Sequence, residues 1–355
     1  MQFALLGDHP DGLAMARALV ESGQHRLLVV CDAAPPAFAE SVRVENDLEE
    51  ILADPHLELV IVAGSMNVRP EQLRRAVQSE RHVLCVHPCG LKPDPAYEAA
   101  LIRDDTKKAL LPLLPNSLHP ALERFRELAS DFRLLSLEQR TKDAESAIPG
   151  WDIFRRIGGE IAEVDGFSAQ EELKFAEPLL IQGRYEKAGL FQISMLPGSA
   201  EERFEFTATG PGGEVRLAGK SWGGPVTLHS SAGAETFPPW DGWAVLVSIV
   251  EAACASPAAT SRENWQDEIH ALELDDALKR SVEKRKAHSL EYRQVSEEVG
   301  SKGTMTLIGC GMIWVILLIF GISVWLPWIR WLIVPLLGGY LVLLGMQWLA
   351  RKPVD

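Results

Sequence analysis

Cysteine is scarce in this 355-residue chain. The five present, Cys31, Cys85, Cys89, Cys254 and Cys310, form no C-x-x-C pair and no His/Cys cluster at zinc-ligand spacing. Neither a metal centre nor a disulfide framework is expected. Positive charge is also short: 35 Lys+Arg against 49 Asp+Glu leave a formal net charge of −14. Such a balance repels a phosphate backbone unless a basic face is concentrated somewhere, so nucleic acid is not expected as a partner. The first residues, Met1–Gly7, lack a basic segment followed by a cleavable apolar one and run straight into what reads as a strand. A reducing, cytoplasmic compartment is the expectation for the soluble part. No internal repeat and no low-complexity tract is present.

What is there begins with alternation. Short apolar runs at Phe3–Leu6, Leu27–Cys31, Leu59–Ala63, His82–Val86 and Leu110–Leu114 have the length of buried strands. Helix-length stretches at Ala14–Ser22, Leu48–Ala53, Glu71–Ser79 and Pro95–Arg103 separate them. That order predicts an α/β Rossmann-type, doubly wound parallel sheet over residues 1–120. A helix is expected at Ala121–Ser130, and the texture then changes. Phe167–Phe175, Gly189–Leu196, Arg203–Thr209 and Gly213–Ala218 alternate apolar and polar residues between Gly/Pro turns. They predict an α/β domain over 121–295 with an open, mostly antiparallel sheet, and helices Ala244–Ala255 and Asp267–Lys286 read as returning to the body.

Mean hydropathy is +0.01, high for a soluble chain, and the cause is local. Met305–Ala350 carries one charge, Arg330. After a polar linker at 296–303, Met305–Leu326 and Trp331–Ala350 each have about the 20 residues needed to cross a bilayer core. Trp325, Trp328 and Trp331 cluster at the turn between them, where indole rings favour the headgroup layer. Lys302, Arg351 and Lys352 flank the pair. The reading is a transmembrane helical hairpin over 304–350 with both termini cytoplasmic, so the membrane is an expected partner. Lys279–Arg293, with six Lys/Arg against two Glu, reads either as a surface for anionic headgroups or as a solvated helix face.

Gly7-Asp8-His9-Pro10-Asp11-Gly12 follows the first strand and precedes a helix, the context of a dinucleotide fingerprint. Gly7 and Gly12 take the first and third glycine places; His9 stands at the middle one, and Pro10 lacks an N–H. Asp32, ending the second strand, is placed to bind ribose hydroxyls. The cofactor-binding set is thus Gly7, His9, Gly12 and Asp32, with NAD or NADP as cofactor and weakened phosphate contacts.

Asp47-Leu48-Glu49-Glu50-Ile51-Leu52-Ala53-Asp54-Pro55, then Leu59–Ala63, then Arg81-His82-Val83-Leu84-Cys85-Val86-His87-Pro88 resemble in order and spacing the glucose-fructose oxidoreductase / inositol dehydrogenase / MocA family. Gly158–Val164 is similar to that family's entry to its sheet domain, so the likeness spans residues 1 to about 290. The resemblance implies NAD(P)-dependent hydride transfer on a sugar- or cyclitol-like substrate in the cleft between two domains, and association through the outer face of the open sheet into a homo-oligomer. It places His87 where the family has its Glu-Lys-Pro lysine, and Asp152 at the second acid of a D-x-x-x-H-x-x-D motif. The motif's histidine and first acid fall on Pro149 and Glu145. His87 and Asp152 are therefore the candidate catalytic residues, at reduced activity because a proline transfers no proton. His119 and Lys92 are weighed as cleft residues against plain structural roles, and Trp222, Trp240 and Trp243 as a sugar-stacking surface against core packing. A non-catalytic metabolite sensor or membrane assembly platform, a pseudoenzyme on the same fold, remains the alternative.

Overall fold

The structure, a computed structural model, describes residues 1–39, 41–142, 148, 150–169, 173–174, 176–187, 189–256, 265–284 and 288–289. Six parallel strands form the first sheet: β1 (Gln2–Leu6), β2 (Arg26–Cys31), β3 (Arg43–Val44), β4 (Leu59–Val62), β5 (His82–Val86) and β6 (Leu110–Leu113), in the order β3-β2-β1-β4-β5-β6. All residues of β4 and β6 are buried, as are all but the first of β1 and β5. Covered on both faces, such strands read as uninterrupted apolar runs. Helices α1 (Pro10–Glu21), α2 (Leu48–Leu52), α3 (Arg69–Gln78) and α4 (Asp94–Thr106) supply the cover. The order reverses direction between β1 and β4, and there a doubly wound sheet opens a crevice at its carboxyl ends. Pro112 sits in β6, whose edge position leaves its missing N–H without cost to a ladder.

A 3-10 turn at Pro115–Leu118 and helix α5 (Pro120–Leu128) lead to the second sheet. Its strands are β7 (Leu134–Arg140), β8 (Ile161–Ser168), β9 (Leu179–Tyr185), β10 (Leu190–Leu196), β11 (Arg203–Gly210), β12 (Gly213–Gly219), β13 (Val226–Ser230), β14 (Gly233–Phe237) and β15 (His288–Ser289). They lie in the order β14-β13-β12-β11-β7-β10-β9-β8-β15. The sheet is mixed, since β7 and β10 pair in parallel while the other pairs are antiparallel. One face packs on α5, α6 (Trp151–Gly158) and α8 (Trp265–Lys284) around Trp151, Phe154, Phe191 and Phe206, whose rings meet edge-on or tilted at 5.5–6.5 Å.

One expectation shifts. The strand placed at Phe167–Phe175 begins earlier, at Ile161, because the entry after Gly159 (φ +86°) is already extended; a register shift at Ile161/Glu163 and Gly166 blur its alternation. Helix α7 (Gly242–Ala255) packs with Leu246, Val247 and Val250 into the core of the first sheet, beside α1, although it follows the second sheet in sequence. Among the described residues no helix is long and apolar enough to cross a membrane. The linker at 296–303 and the hairpin at 304–350 lie outside the described residues, as do Glu145 and Pro149.

Candidate active site at the carboxyl ends of the first sheet

The β1–α1 turn is built by close packing. Gly7, at φ +104°, donates its N–H to Cys31 O at 2.8 Å, and a Cβ there would fall 2.3 Å from Ala63 O. A Cβ on Gly12 would fall equally close to the Ala63 methyl. Both positions therefore require glycine. His9 donates its own N–H to Ala63 O at 3.1 Å, and its ring turns back on the helix, so that Nδ1 accepts the Asp11 N–H at 3.2 Å. Pro10, the first helical residue, has no N–H to offer. Burial lowers the His9 pKa despite the nearby Asp11 charge, which suits a ring that accepts at Nδ1. Burial raises the Asp11 carboxyl, with His9, His87 and Arg69 opposing. Asp32 is exposed just past β2, with φ 52°.

Two strands over, β5 ends at Val86 and delivers His87 to the crevice through a cis His87–Pro88 peptide. The imidazole Nδ1 lies 2.7 Å from Glu268 Oε2, on α8. The Glu268 side chain is 0% exposed, and its other oxygen accepts the Cys89 N–H at 2.6 Å. Arg69, also buried, braces the floor of the crevice: Nε donates to Gly64 O at 2.9 Å and Nη1 to Pro88 O at 2.6 Å. Burial by itself would lower the His87 pKa, but attraction and hydrogen bonding by Glu268, then Asp152 and Asp275, outweigh it and bring the value to about 9. Burial tends to raise Glu268, yet His87 and the Cys89 N–H hold it below the usual carboxylate range.

Asp152, in the first turn of α6, is raised by burial and by Asp267, with His87 opposing. Asp275, one helical stretch along α8 from Glu268, accepts the Trp151 indole N–H at 2.8 Å; burial raises it to about 6. Behind them Arg155 bridges Glu160 (2.7 and 3.0 Å) and Asp267 (2.6 Å), and His270 Nδ1 lies 3.2 Å from Glu160. The structure thus brings His87 and Asp152 within each other's field and adds Glu268 and Asp275, which sequence reasoning passed over. Glu268 had a visible signal: it shares the Trp265, Ile269 and Leu272 stripe of an amphipathic helix, where a carboxylate must be paired.

The other weighed residues take structural places. Lys92 is exposed. His119 is 0% exposed and caps α5 by accepting the Ala121 N–H at 3.1 Å; burial takes its pKa down to about 4. Trp222 stacks on Phe204 at 4.1 Å and Trp240 lies 4.9 Å from the His119 ring, so these indoles are packing elements. Trp243 is half-buried against the first sheet's core. In the basic stretch, Lys279 and Lys284 are exposed and Arg280 pairs with Asp276 at 2.7 Å; Arg285, Lys286 and Arg293 lie outside the described residues.

These residues fit a nicotinamide dinucleotide. Gly7 and Gly12 give the tight turn and the close packing of α1 on the sheet that the fingerprint needs, and Asp32 is exposed at the end of β2, while the pyrophosphate end offers fewer amides because of Pro10 and the His9 ring. No family model matches the chain, and neither does any curated protein. Solved structures do. A myo-inositol dehydrogenase from Corynebacterium glutamicum is 16% identical, with a TM-score of 0.63 over 82% of this chain and 99% of that one. GenD2 from gentamicin A biosynthesis, solved in complex with NAD, is 17% identical, with a TM-score of 0.68 over 82% and 97%. The WlbA dehydrogenase from Bordetella pertussis, solved with NADH and UDP-GlcNAcA, is 14% identical, with a TM-score of 0.68 over 82% and 98%. This chain therefore has the fold of the inositol dehydrogenase type of dinucleotide-dependent dehydrogenase, a Rossmann sheet followed by an open mixed sheet.

Proposed function

We propose that the chain is a membrane-anchored NAD(P)-dependent oxidoreductase acting, at reduced rate, on a sugar- or cyclitol-like substrate. Residues 1–120 hold the dinucleotide and 121–295 supply the substrate and oligomerisation domain. Gly7, Gly12 and Asp32 receive the cofactor, with His9 at the phosphate turn. The bound nicotinamide supplies or takes the hydride. His87 handles the proton at the reacting oxygen, and Asp152 orients His87.

One observation carries the reading. At the carboxyl end of β5, where ligands of open α/β sheets lie, an imidazole is backed by a fully buried carboxylate, within the field of Asp11 at the start of α1. Its test is NADH fluorescence with the purified full chain in detergent micelles. A shift or quench at micromolar to sub-millimolar NADH supports the oxidoreductase; no change at millimolar NADH removes it. His87→Ala is expected to abolish turnover and leave NADH binding in place.

The sensor or platform reading has its own support, the His9 ring on the Asp11 amide, which covers a phosphate-binding position with the protein's own side chain. A silent NADH titration together with retained metabolite binding favours it. The 304–350 hairpin anchors the chain with both termini cytoplasmic; recovery of the full chain in the soluble fraction after cell fractionation removes that part. Self-association uses the outer face of the second sheet, where Phe167, Leu180, Leu190 and Leu134 are exposed. A monomer by light scattering in micelles removes it.

A further inference from the structure

His87 has two ring nitrogens, and the structure assigns them different tasks. Nδ1 is committed to Glu268 Oε2 at 2.7 Å, and an ionised carboxylate only accepts, so Nδ1 carries a proton. Nε2 has no hydrogen-bond partner among the described residues, and the side chain is 16% exposed. Nε2 is therefore the ring nitrogen left to meet a ligand.

The surroundings decide whether Nε2 is protonated as well. From α8 come Glu268 and Asp275, from α6 Asp152, and from α1 Asp11; all four act on His87, and all are carboxyl groups. The cation from α3, Arg69, is turned onto the carbonyls of Gly64 and Pro88. From β5 and the turn beyond it, Cys85 and Cys89 contribute thiols raised well above their ordinary range, hence neutral. A buried imidazole among carboxylates, one of them in direct contact, favours its charged form.

We propose that Glu268 is a positioning residue that keeps His87 an imidazolium with its Nε2–H aimed into the crevice, so that this site delivers a proton and its substrate is a ketone or aldehyde reduced to the alcohol. The inference rests on the proposed function and deepens it. In the step, hydride from a reduced nicotinamide dinucleotide forms the new C–H bond at the carbonyl carbon. The C=O π pair moves to oxygen, and oxygen takes the Nε2 proton. The nicotinamide is oxidised, and His87 is left neutral, still donating Nδ1–H to Glu268, until solvent returns the proton. Oxidation of an alcohol needs the neutral ring, which this arrangement makes scarce at neutral pH.

The test is NMR of the full chain in micelles with 15N-labelled histidine, the His87 signals being assigned by their loss in His87→Gln. Both ring nitrogens are expected to show the imidazolium signature from pH 6 to 8. Glu268→Gln is expected to weaken proton affinity by about 100-fold, two pH units in the midpoint. Glu268→Asp, which keeps the charge, is expected to restore most of it. A wild-type His87 that is neutral at pH 7, or a midpoint unmoved by Glu268→Gln, overturns the assignment. Should Glu268→Gln fail to fold, the wild-type titration and Glu268→Asp decide alone. An NADH titration run alongside separates the two levels. A neutral His87 in a chain that binds NADH sinks only the proton donor, whereas a charged His87 in a chain that ignores millimolar NADH sinks the reductase together with the reading beneath it.

Discussion

Replacing His9 with glycine should tighten dinucleotide binding. In the wild type the Asp11 N–H is taken by the His9 ring at 3.2 Å, and Pro10 offers none. His9→Gly removes the ring and its Cβ, and releases that amide toward the pyrophosphate. A hydrogen bond to a charged group contributes about 1.5–3 kcal/mol. Against it stand the lost cap, a few tenths of a kcal/mol when glycine takes the position, and the extra backbone freedom of glycine, about 0.5–1 kcal/mol. The balance, about 0.2–2 kcal/mol, corresponds to NADH binding roughly 1.5- to 30-fold tighter. Fluorescence titration of the full chain with NADH reads this directly. His9→Asn serves as the control, because its side chain keeps a capping acceptor over the same amide and should gain much less. A folded His9→Gly chain that binds NADH no tighter than wild type refutes the assignment of His9 as an occupant of the phosphate position.

Three further outcomes follow from the same geometry. The His87 pKa, raised from 6.5 to about 9, contributes stability that is full below pH 6.5 and is lost as pH rises through 9. That rise corresponds to on the order of 3 kcal/mol, so urea midpoints of wild type and Glu268→Gln should converge between those pH values; parallel profiles would contradict it. Arg69→Met should cost about 2–5 kcal/mol by thermal unfolding, since two buried carbonyls lose their donor, whereas Arg69→Lys should recover part of the loss. Trp151→Phe removes the indole donor that holds Asp275 down, so Asp275 should titrate above its value of about 6. The variant's stability deficit should then be larger at pH 8 than at pH 5, and an equal deficit at both would count against a charged acceptor.

How far the fold was legible depends on burial. Strands β1, β2, β4, β5 and β6 were readable because sheet cover on both sides makes their sequences continuously apolar, and Gly7 and Gly12 mark a turn that tolerates no Cβ. β7 was missed: Leu134–Arg140 pairs its apolar positions with Ser136, Glu138 and Arg140 on an open face, a weak alternation in a short window. Helix α6 is a single amphipathic stretch of 8 residues, shorter than the span over which helical period can be counted. At the site, His87 was found by its place at a strand end. Its partner was not, because Glu268 is 181 residues further on, and only tertiary structure brings a carboxylate from α8 under β5.

The backbone just past position 87 is held by side chains from two other elements. Pro88 O is gripped by a guanidinium from α3, and the Cys89 amide by a carboxylate from α8. Clamped at both residues that follow position 87, the turn beyond β5 has its course set by main-chain contacts, so the path of the backbone there is fixed apart from the chemistry of the side chain it carries.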